Sequence, residues 1–307
     1  MCRFFRTGAA GNPYRVGPGG WAAVARGVWV ERIIGRERAD SNGICYNGSH
    51  MKRRNFVAAA AAGLATTAIA DETAKSQYFA LRYYYMQTGP QVDRTTQYLS
   101  GAYLPAARRA GVKASGFFSP VIGERSPFIL SLSVYASVAA MEAANLHLTG
   151  DKEFQKGWDD YNTIGEPAYS RMETALLRAF DGIPELTAPP TDAKRAARTF
   201  EMRTYESINE KASRRKIKMF EDGEAAVFRR LGMSPVFFGE GIFGRSLPSL
   251  TYMLAFDDLA SRERLWKAFG ADAAWQKLRS QPGLSDAEIV SNISNEILRP
   301  LAFSEIR

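Results

Sequence analysis

Cysteine and histidine are scarce in this chain of 307 residues, and long apolar runs are missing. Two cysteines cannot build a disulfide framework, and two histidines leave little for a histidine-rich metal site. No apolar run reaches the ~18–20 residues of a membrane-spanning helix, which excludes a multi-pass membrane protein. Hydrophobic residues make up 46% of the chain, enough to build a folded core. The composition predicts a globular protein with no metal site and no cofactor.

Positive charge is concentrated near the beginning of the chain. Of the net charge of +8, residues 1–50 carry +4 and residues 51–70 carry +3, so that only +1 remains for residues 71–307. A nucleic-acid-binding domain needs a basic surface on its folded part. The near-neutral remainder therefore predicts that nucleic acid is not a partner.

Residues 51–70 have the order of a cleavable export signal. The pair Arg53 and Arg54 precedes an alanine-rich stretch, and Ala68 and Ala70 frame an A-x-A site at its end. The paired arginines resemble a twin-arginine signal. The apolar stretch is too short and too weakly apolar for a stable membrane anchor. We therefore expect cleavage after Ala70 and a periplasmic mature protein.

Residues 1–50 stand in front of this signal, although a signal begins at the N-terminus of its protein. They are rich in Gly and Arg, show no sustained period and contain both cysteines. We predict a disordered extension translated upstream of the true start at Met51.

The rest of the chain contains an internal repeat, in which two similar units are offset by 121 residues. The string Phe79-Ala-Leu-Arg82-Tyr-Tyr84 corresponds to Phe200-Glu-Met-Arg203-Thr-Tyr205, and the same offset aligns residues as far as 178 and 299. Residues 181–198, which hold three prolines, are typical of a linker. The predicted domains are therefore 71–180 and 199–307.

Periodicity within each unit predicts the order βαββαβ. Aromatic and β-branched segments at 78–87 and 199–207 predict first strands, and helical spacing follows at 92–110 and 211–231. Such a unit forms an antiparallel sheet with both helices on one face, which leaves the other face uncovered. We expect an α+β protein in which two tandem ferredoxin-like units pair as an intramolecular, pseudo-dimeric α/β barrel.

The duplicated layout and its opening strings, FALRYYY and FEMRTYE, resemble the NIPSNAP family. That resemblance covers about residues 78–180 and 199–303. It implies the dimeric α/β barrel fold and very little chemistry, because the bacterial members of the family have no settled reaction. Relatives by fold include cofactor-free monooxygenases, haem enzymes and small isomerases, which is an analogy of fold alone.

Four residues on the first strands are candidates for ligand binding. Period two places Arg82 and Tyr84 on one face of their strand, and Arg203 and Tyr205 on the equivalent face of theirs. If Phe79 and its neighbours face the helices, these four point between the sheets, where they can bind an anionic or aromatic molecule. The alternative is that each arginine pairs with an acid such as Glu201, or with a strand-end carbonyl, and orders the core.

His147, near a helix end, is a further candidate, either as a general base or as a single haem ligand. The alternative is a structural role, because a histidine there interacts favourably with the helix dipole.

The leading prediction is an exported protein that binds a small molecule or a protein partner through its duplicated barrel. The second is a cofactor-independent oxygenase or isomerase that uses an Arg/Tyr cavity between the sheets. A homo-oligomer is left open.

Overall fold

The computed structural model describes residues 76–163, 165–190 and 196–307. The predicted extension and export signal, with Arg53, Arg54, Ala68 and Ala70, lie outside the described residues.

Eight strands appear in the order that the repeat predicts, four in each unit. They are β1 Tyr78–Tyr85, β2 Ala114–Ile122, β3 Phe128–Tyr135, β4 Arg171–Ala179, β5 Thr199–Ser207, β6 Ser234–Phe243, β7 Ser249–Phe256 and β8 Val290–Pro300. Both hairpins repeat the same backbone detail, with Arg125 and Ser246 at φ near 58° and a cis proline two residues later, at Pro127 and Pro248.

In the described part of the chain, helices lie between these strands, four at equivalent places in each unit and one more, α9, in the second unit. They are α1 Pro90–Tyr98, α2 Leu104–Arg109, α3 Val138–Gly150, α4 Lys152–Tyr161, α5 Glu210–Met219, α6 Ala225–Arg230, α7 Leu259–Ala271, α8 Ala273–Arg279 and α9 Asp286–Ile289. The continuous helices predicted at 92–110 and 211–231 are each interrupted by a π-helical turn, at Leu99–Tyr103 and at Phe220–Glu224. None of the helices in the described ranges is long and apolar enough to cross a membrane.

The eight antiparallel strands close into one barrel in the order β1-β3-β2-β8-β5-β7-β6-β4. Within each unit the strand order is that of a ferredoxin-like sheet, and the two sheets join where β2 pairs with β8 and β4 pairs with β6. Closure leaves no free strand edge between the units. The predicted fold class, an α+β intramolecular pseudo-dimeric barrel, is confirmed.

The barrel interior is apolar and is built from both units. Phe79 and Leu81 of β1 pack in one buried cluster with Phe200 and Met202 of β5 and with Leu298. Two further clusters lie on the outer faces of the sheets, where each unit packs against its own helices. The chain therefore has one shared core and two separate layers under the helices.

Candidate functional site

Arg82, Tyr84, Arg203 and Tyr205 lie under the helices, so the prediction that they point between the sheets is wrong. Tyr84 packs with residues of α1 and α2, and Tyr205 packs with residues of the Phe220–Glu224 turn and α6. The reason is physical: a closed barrel excludes water, and a charged group buried there without partners costs many kcal/mol. The apolar face of each strand therefore turns inward, and the polar face turns toward the helices.

The first unit has an open cavity between its sheet and its helices. A cavity of about 680 Å³ lies between β1, β3 and β4 and the helices of the first unit. Arg82 and the serines Ser131 and Ser133 lie on its sheet side, while Asn145 of α3 and Phe154 of α4 lie on its helix side. The cavity thus combines one cation, neutral hydroxyl and amide groups, and aromatic surface.

Three tyrosines add hydroxyl groups to this cavity, namely Tyr98, Tyr103 and Tyr135. Tyr98 and Tyr103 are five residues apart, which an α-helix would place on different faces. The π-helical turn between them, closed by a bond from the Leu104 N–H to the Leu99 carbonyl, brings both side chains to the same face. Tyr103 also hydrogen-bonds the Ser133 hydroxyl at 2.9 Å, which fixes its position on the sheet.

The charge of Arg82 has no acidic partner within the part of the chain that the structure describes. Its Nη1 donates to the Tyr84 hydroxyl at 3.4 Å, a long bond to a neutral group. Burial raises the pKa of Tyr84, Tyr98 and Tyr103 above the ordinary value, so these hydroxyls stay protonated at neutral pH and do not neutralise the arginine. A guanidinium keeps its charge in proteins. The first unit therefore holds a half-buried, uncompensated cation beside a cavity.

The second unit fills the equivalent space with its own acid. Glu201 is fully buried and accepts hydrogen bonds from Arg203 Nη1 at 3.1 Å, from Arg262 Nε at 2.9 Å and Nη2 at 2.6 Å, and from Trp266 Nε1 at 2.6 Å. The Arg203 guanidinium also lies 4.6 Å from the centre of the Trp266 ring. Arg203 therefore behaves as the structural alternative predicts, paired with Glu201, whereas Arg82 does not.

A second buried ion pair lies deeper in the same layer. Lys216 Nζ is 3.3 Å from Glu224 Oε2 and 3.4 Å from Asp286 Oδ1, and both Lys216 and Glu224 are buried. Thr95 and Tyr103 occupy the equivalent positions in the first unit. Polar groups under the helices are thus charged and paired in the second unit, and mostly neutral in the first.

His147 does not take part in this cavity. It is exposed on α3, and the residues of α3 that line the cavity are Met141, Asn145, Leu148 and Thr149. Its position in the last turn of α3 agrees with the structural alternative, in which the helix dipole favours it.

A smaller cavity of about 280 Å³ opens at one end of the barrel. Its half-buried acids and its arginine are paired: Tyr83 donates to Glu296 at 2.7 Å, and Glu173 accepts from Arg125 at 3.0 Å and from Arg245 at 2.6 Å. The Arg82 cavity differs because its cation lacks such a partner. In the described ranges, no three His, Cys, Asp or Glu side chains are grouped to hold a metal ion.

Tyr98, Tyr103, Tyr135 and Asn145 were not predicted from the sequence as residues of the site. A usable signal was present in the differences between the repeats, because positions that hold Glu201 and Trp266 in one unit hold Ala80 and Asn145 in the other. The predicted group of two arginines and two tyrosines contains only residues that the repeats share.

The barrel and its two helix layers define the class of this protein, a tandem α/β barrel in which one chain supplies both halves. Residues 200–305, which make up the second unit, match the NIPSNAP family model. The resemblance seen in the sequence is thus confirmed for the second unit, and the first unit repeats its strand and helix order.

Solved structures similar to this chain come from several bacteria. A protein provisionally named a monooxygenase, from Fusobacterium nucleatum, is 11% identical over 74% of this chain and 93% of its own, with a TM-score of 0.49. A NIPSNAP family protein of unknown function from Agrobacterium tumefaciens is 23% identical over 36% of this chain and 95% of its own, with a TM-score of 0.32. An anthrone oxidase-like protein is 11% identical over 74% of this chain and 92% of its own, with a TM-score of 0.46. No curated protein matches the chain.

Proposed function

We propose that this protein binds a small organic anion in the cavity of its first unit. The observation that carries the proposal is Arg82, a half-buried cation that lines a cavity of about 680 Å³ and has no acidic partner among the described residues. Leaving such a charge uncompensated costs stability, and proteins keep such groups where they contribute to function.

The surrounding groups suit an anion with an apolar part. Tyrosine and serine hydroxyls can donate hydrogen bonds to it, and Arg82 can supply a bidentate pair. Phe154, Leu148 and Leu176 provide apolar surface beside these donors. Ligand cavities in proteins commonly combine apolar walls with a few placed polar groups.

Binding of a small molecule fits these observations better than the two other predictions. A protein partner needs an exposed surface, whereas Arg82 and the tyrosines lie beneath helices. The oxygenase or isomerase prediction depends on Arg82, Tyr84, Arg203 and Tyr205 lying between the sheets, and all four lie under the helices instead. No group in the Arg82 cavity favours catalysis over binding.

A fluorescent anion tests the proposed function. We expect 1-anilinonaphthalene-8-sulfonate to bind the wild-type protein, and Arg82→Met to weaken this binding about 10- to 100-fold, because a hydrogen bond to a charged group contributes about 1.5–3 kcal/mol. Fluorescence titration measures both affinities.

The matched control is Arg203→Met, which removes the equivalent arginine from the filled site. Its affinity for the dye should stay within about twofold of wild type, since a twofold change is only ~0.4 kcal/mol. Equal weakening by both substitutions, or by neither, would overturn the proposal. Thermal unfolding of each variant verifies that the folded state is retained.

We further propose that the chain is exported, as the Arg53-Arg54 pair and the Ala68-x-Ala70 site suggest. Expression in a bacterium with a twin-arginine pathway should give a periplasmic protein whose mature N-terminus is Asp71. Replacing both arginines with lysine should leave the protein uncleaved in the cytoplasm. N-terminal sequencing of the periplasmic and cytoplasmic fractions distinguishes the two forms. An intact precursor from both the wild-type gene and the lysine variant would contradict export.

A further inference from the structure

The two units place their first-strand arginines in the same way. The offset of 121 residues aligns Arg82 with Arg203 and Tyr84 with Tyr205. Each guanidinium donates to its own tyrosine hydroxyl, at 3.4 Å in both units. The space in front of one arginine can therefore be compared with the space in front of the other.

In the second unit this space holds a carboxylate. The Glu201 side chain meets Arg203, and Arg262 and Trp266 complete its set of donors. Arg262 binds it with both Nε and Nη2, the bidentate geometry that a guanidinium forms with a carboxylate. The set is complete for one carboxylate group.

The first unit lacks this carboxylate, and it also lacks the arginine and the tryptophan that bind the carboxylate in the second unit. The positions of Glu201, Arg262 and Trp266 correspond to Ala80, Met141 and Asn145. All three of these residues line the open cavity. Ala80 ends at its Cβ, so the volume that the Glu201 carboxylate fills in one unit is part of the cavity in the other.

We propose that Glu201 is a built-in mimic of the ligand, and that the ligand of the first unit is a monocarboxylate whose carboxylate lies in front of Arg82 as that of Glu201 lies in front of Arg203. This inference rests on the proposed function and names its ligand class. The binding stoichiometry is one per chain, because the second site is occupied by the protein itself.

The charge of the cavity favours a monocarboxylate over a dianion. Arg82 is the one cationic side chain that lines it within the described residues, and the remaining donors are neutral hydroxyls and amides. A phosphate monoester would place about two negative charges against a single positive one. The carboxylate end lies near Arg82 and Ala80, and an apolar body can extend toward Trp158 and Phe243, which also line the cavity.

Phenylacetate and its neutral amide, phenylacetamide, are the probes for this inference. Isothermal titration calorimetry of the full chain should show phenylacetate binding at a ratio of one per chain and at least about tenfold more tightly than phenylacetamide, the difference of one charge-assisted hydrogen bond. Ala80→Glu should abolish phenylacetate binding, because the new side chain supplies the carboxylate internally. Ala139→Glu, which adds the same charge on the exposed face of α3, should bind phenylacetate like wild type.

Other results separate this inference from the proposed function. If the dye requires Arg82 but phenylacetamide binds as tightly as phenylacetate, or Ala80→Glu still binds phenylacetate, the protein binds anions and the carboxylate inference is wrong. If neither the dye nor phenylacetate depends on Arg82, both are wrong. Ala80→Glu should also raise the melting temperature while Ala80→Gln does not, a readout that needs no ligand.

Discussion

Replacing Glu224 with leucine should lower the free energy of unfolding by about 3–5 kcal/mol, the usual cost of removing one partner of a buried ion pair. Lys216 would keep Asp286 at 3.4 Å, yet Asp286 is partly exposed and Lys216 is almost completely buried. Its ammonium also lies 5.0 Å from the centre of the Tyr205 ring, which offsets only part of the loss. Chemical denaturation measures the change.

The double variant Lys216→Met with Glu224→Leu is the matched control. Because it removes both charges and keeps apolar volume, it should recover most or all of the stability lost in the single variant. A double variant that is less stable than Glu224→Leu alone would contradict this expectation, because it would show that Lys216 stabilises the fold even without Glu224.

The same pair predicts how stability changes with pH. Burial raises the pKa of Glu224 to about 7, and the neighbouring Lys216 ammonium opposes this only in part. The folded protein therefore holds this proton to higher pH than the unfolded chain, whose glutamate titrates near 4.5. The contribution to stability is complete below pH 4.5 and is lost as the pH rises through 7. This decline should be absent from the double variant when denaturation midpoints are compared between pH 5 and 8.

Glu201→Ala should be similarly destabilising, by about 3–5 kcal/mol, because it removes a shared acceptor from a buried cluster. Two guanidinium groups and the Trp266 indole N–H lose their partner at once. Thermal and chemical unfolding should both register the loss. No comparable effect is expected from Ala80→Gly in the first unit, where that position makes no such bonds.

The first unit provides the compensating change. A triple variant that also carries Arg262→Met and Trp266→Asn copies the residues Met141 and Asn145 and removes one of the two stranded cations. It should be more stable than Glu201→Ala alone and should bind phenylacetate at two sites per chain. A stable triple variant that still binds one would contradict the equivalence of the two sites.

Local sequence pattern is sufficient to predict the elements and their order. Strand and helix periods, together with the repeat offset, place all eight strands, because period two and period 3.6 are properties of the backbone itself. The π-helical turns at Leu99–Tyr103 and Phe220–Glu224 were not predicted, because a single wider turn is too short for periodicity to distinguish it from an ordinary helical turn. The sequence therefore did not predict that Tyr98 and Tyr103 lie on the same face of the helix.

The orientation of the first strands could not be predicted from the sequence. Period two separates Arg82 and Tyr84 from Phe79 and Leu81 but does not say which face meets the helices. Barrel closure decides this, because the enclosed space excludes water and accepts only the apolar faces of both units. Arg82 and Tyr84, and likewise Arg203 and Tyr205, are neighbours as predicted, but they face the helices and not the other sheet.

The sequence by itself determined that the folded part is a duplicated, nearly neutral βαββαβ protein, since composition, charge and repeats are local facts of the chain. Only the tertiary structure decided that the repeats are unequal. The acid that faces Arg203 lies two residues away on the same strand, but its other donors, Arg262 and Trp266, come from a helix about 60 residues further along the chain. Their absence around Arg82 becomes meaningful only where the fold brings Ala80, Met141 and Asn145 to the wall of one cavity.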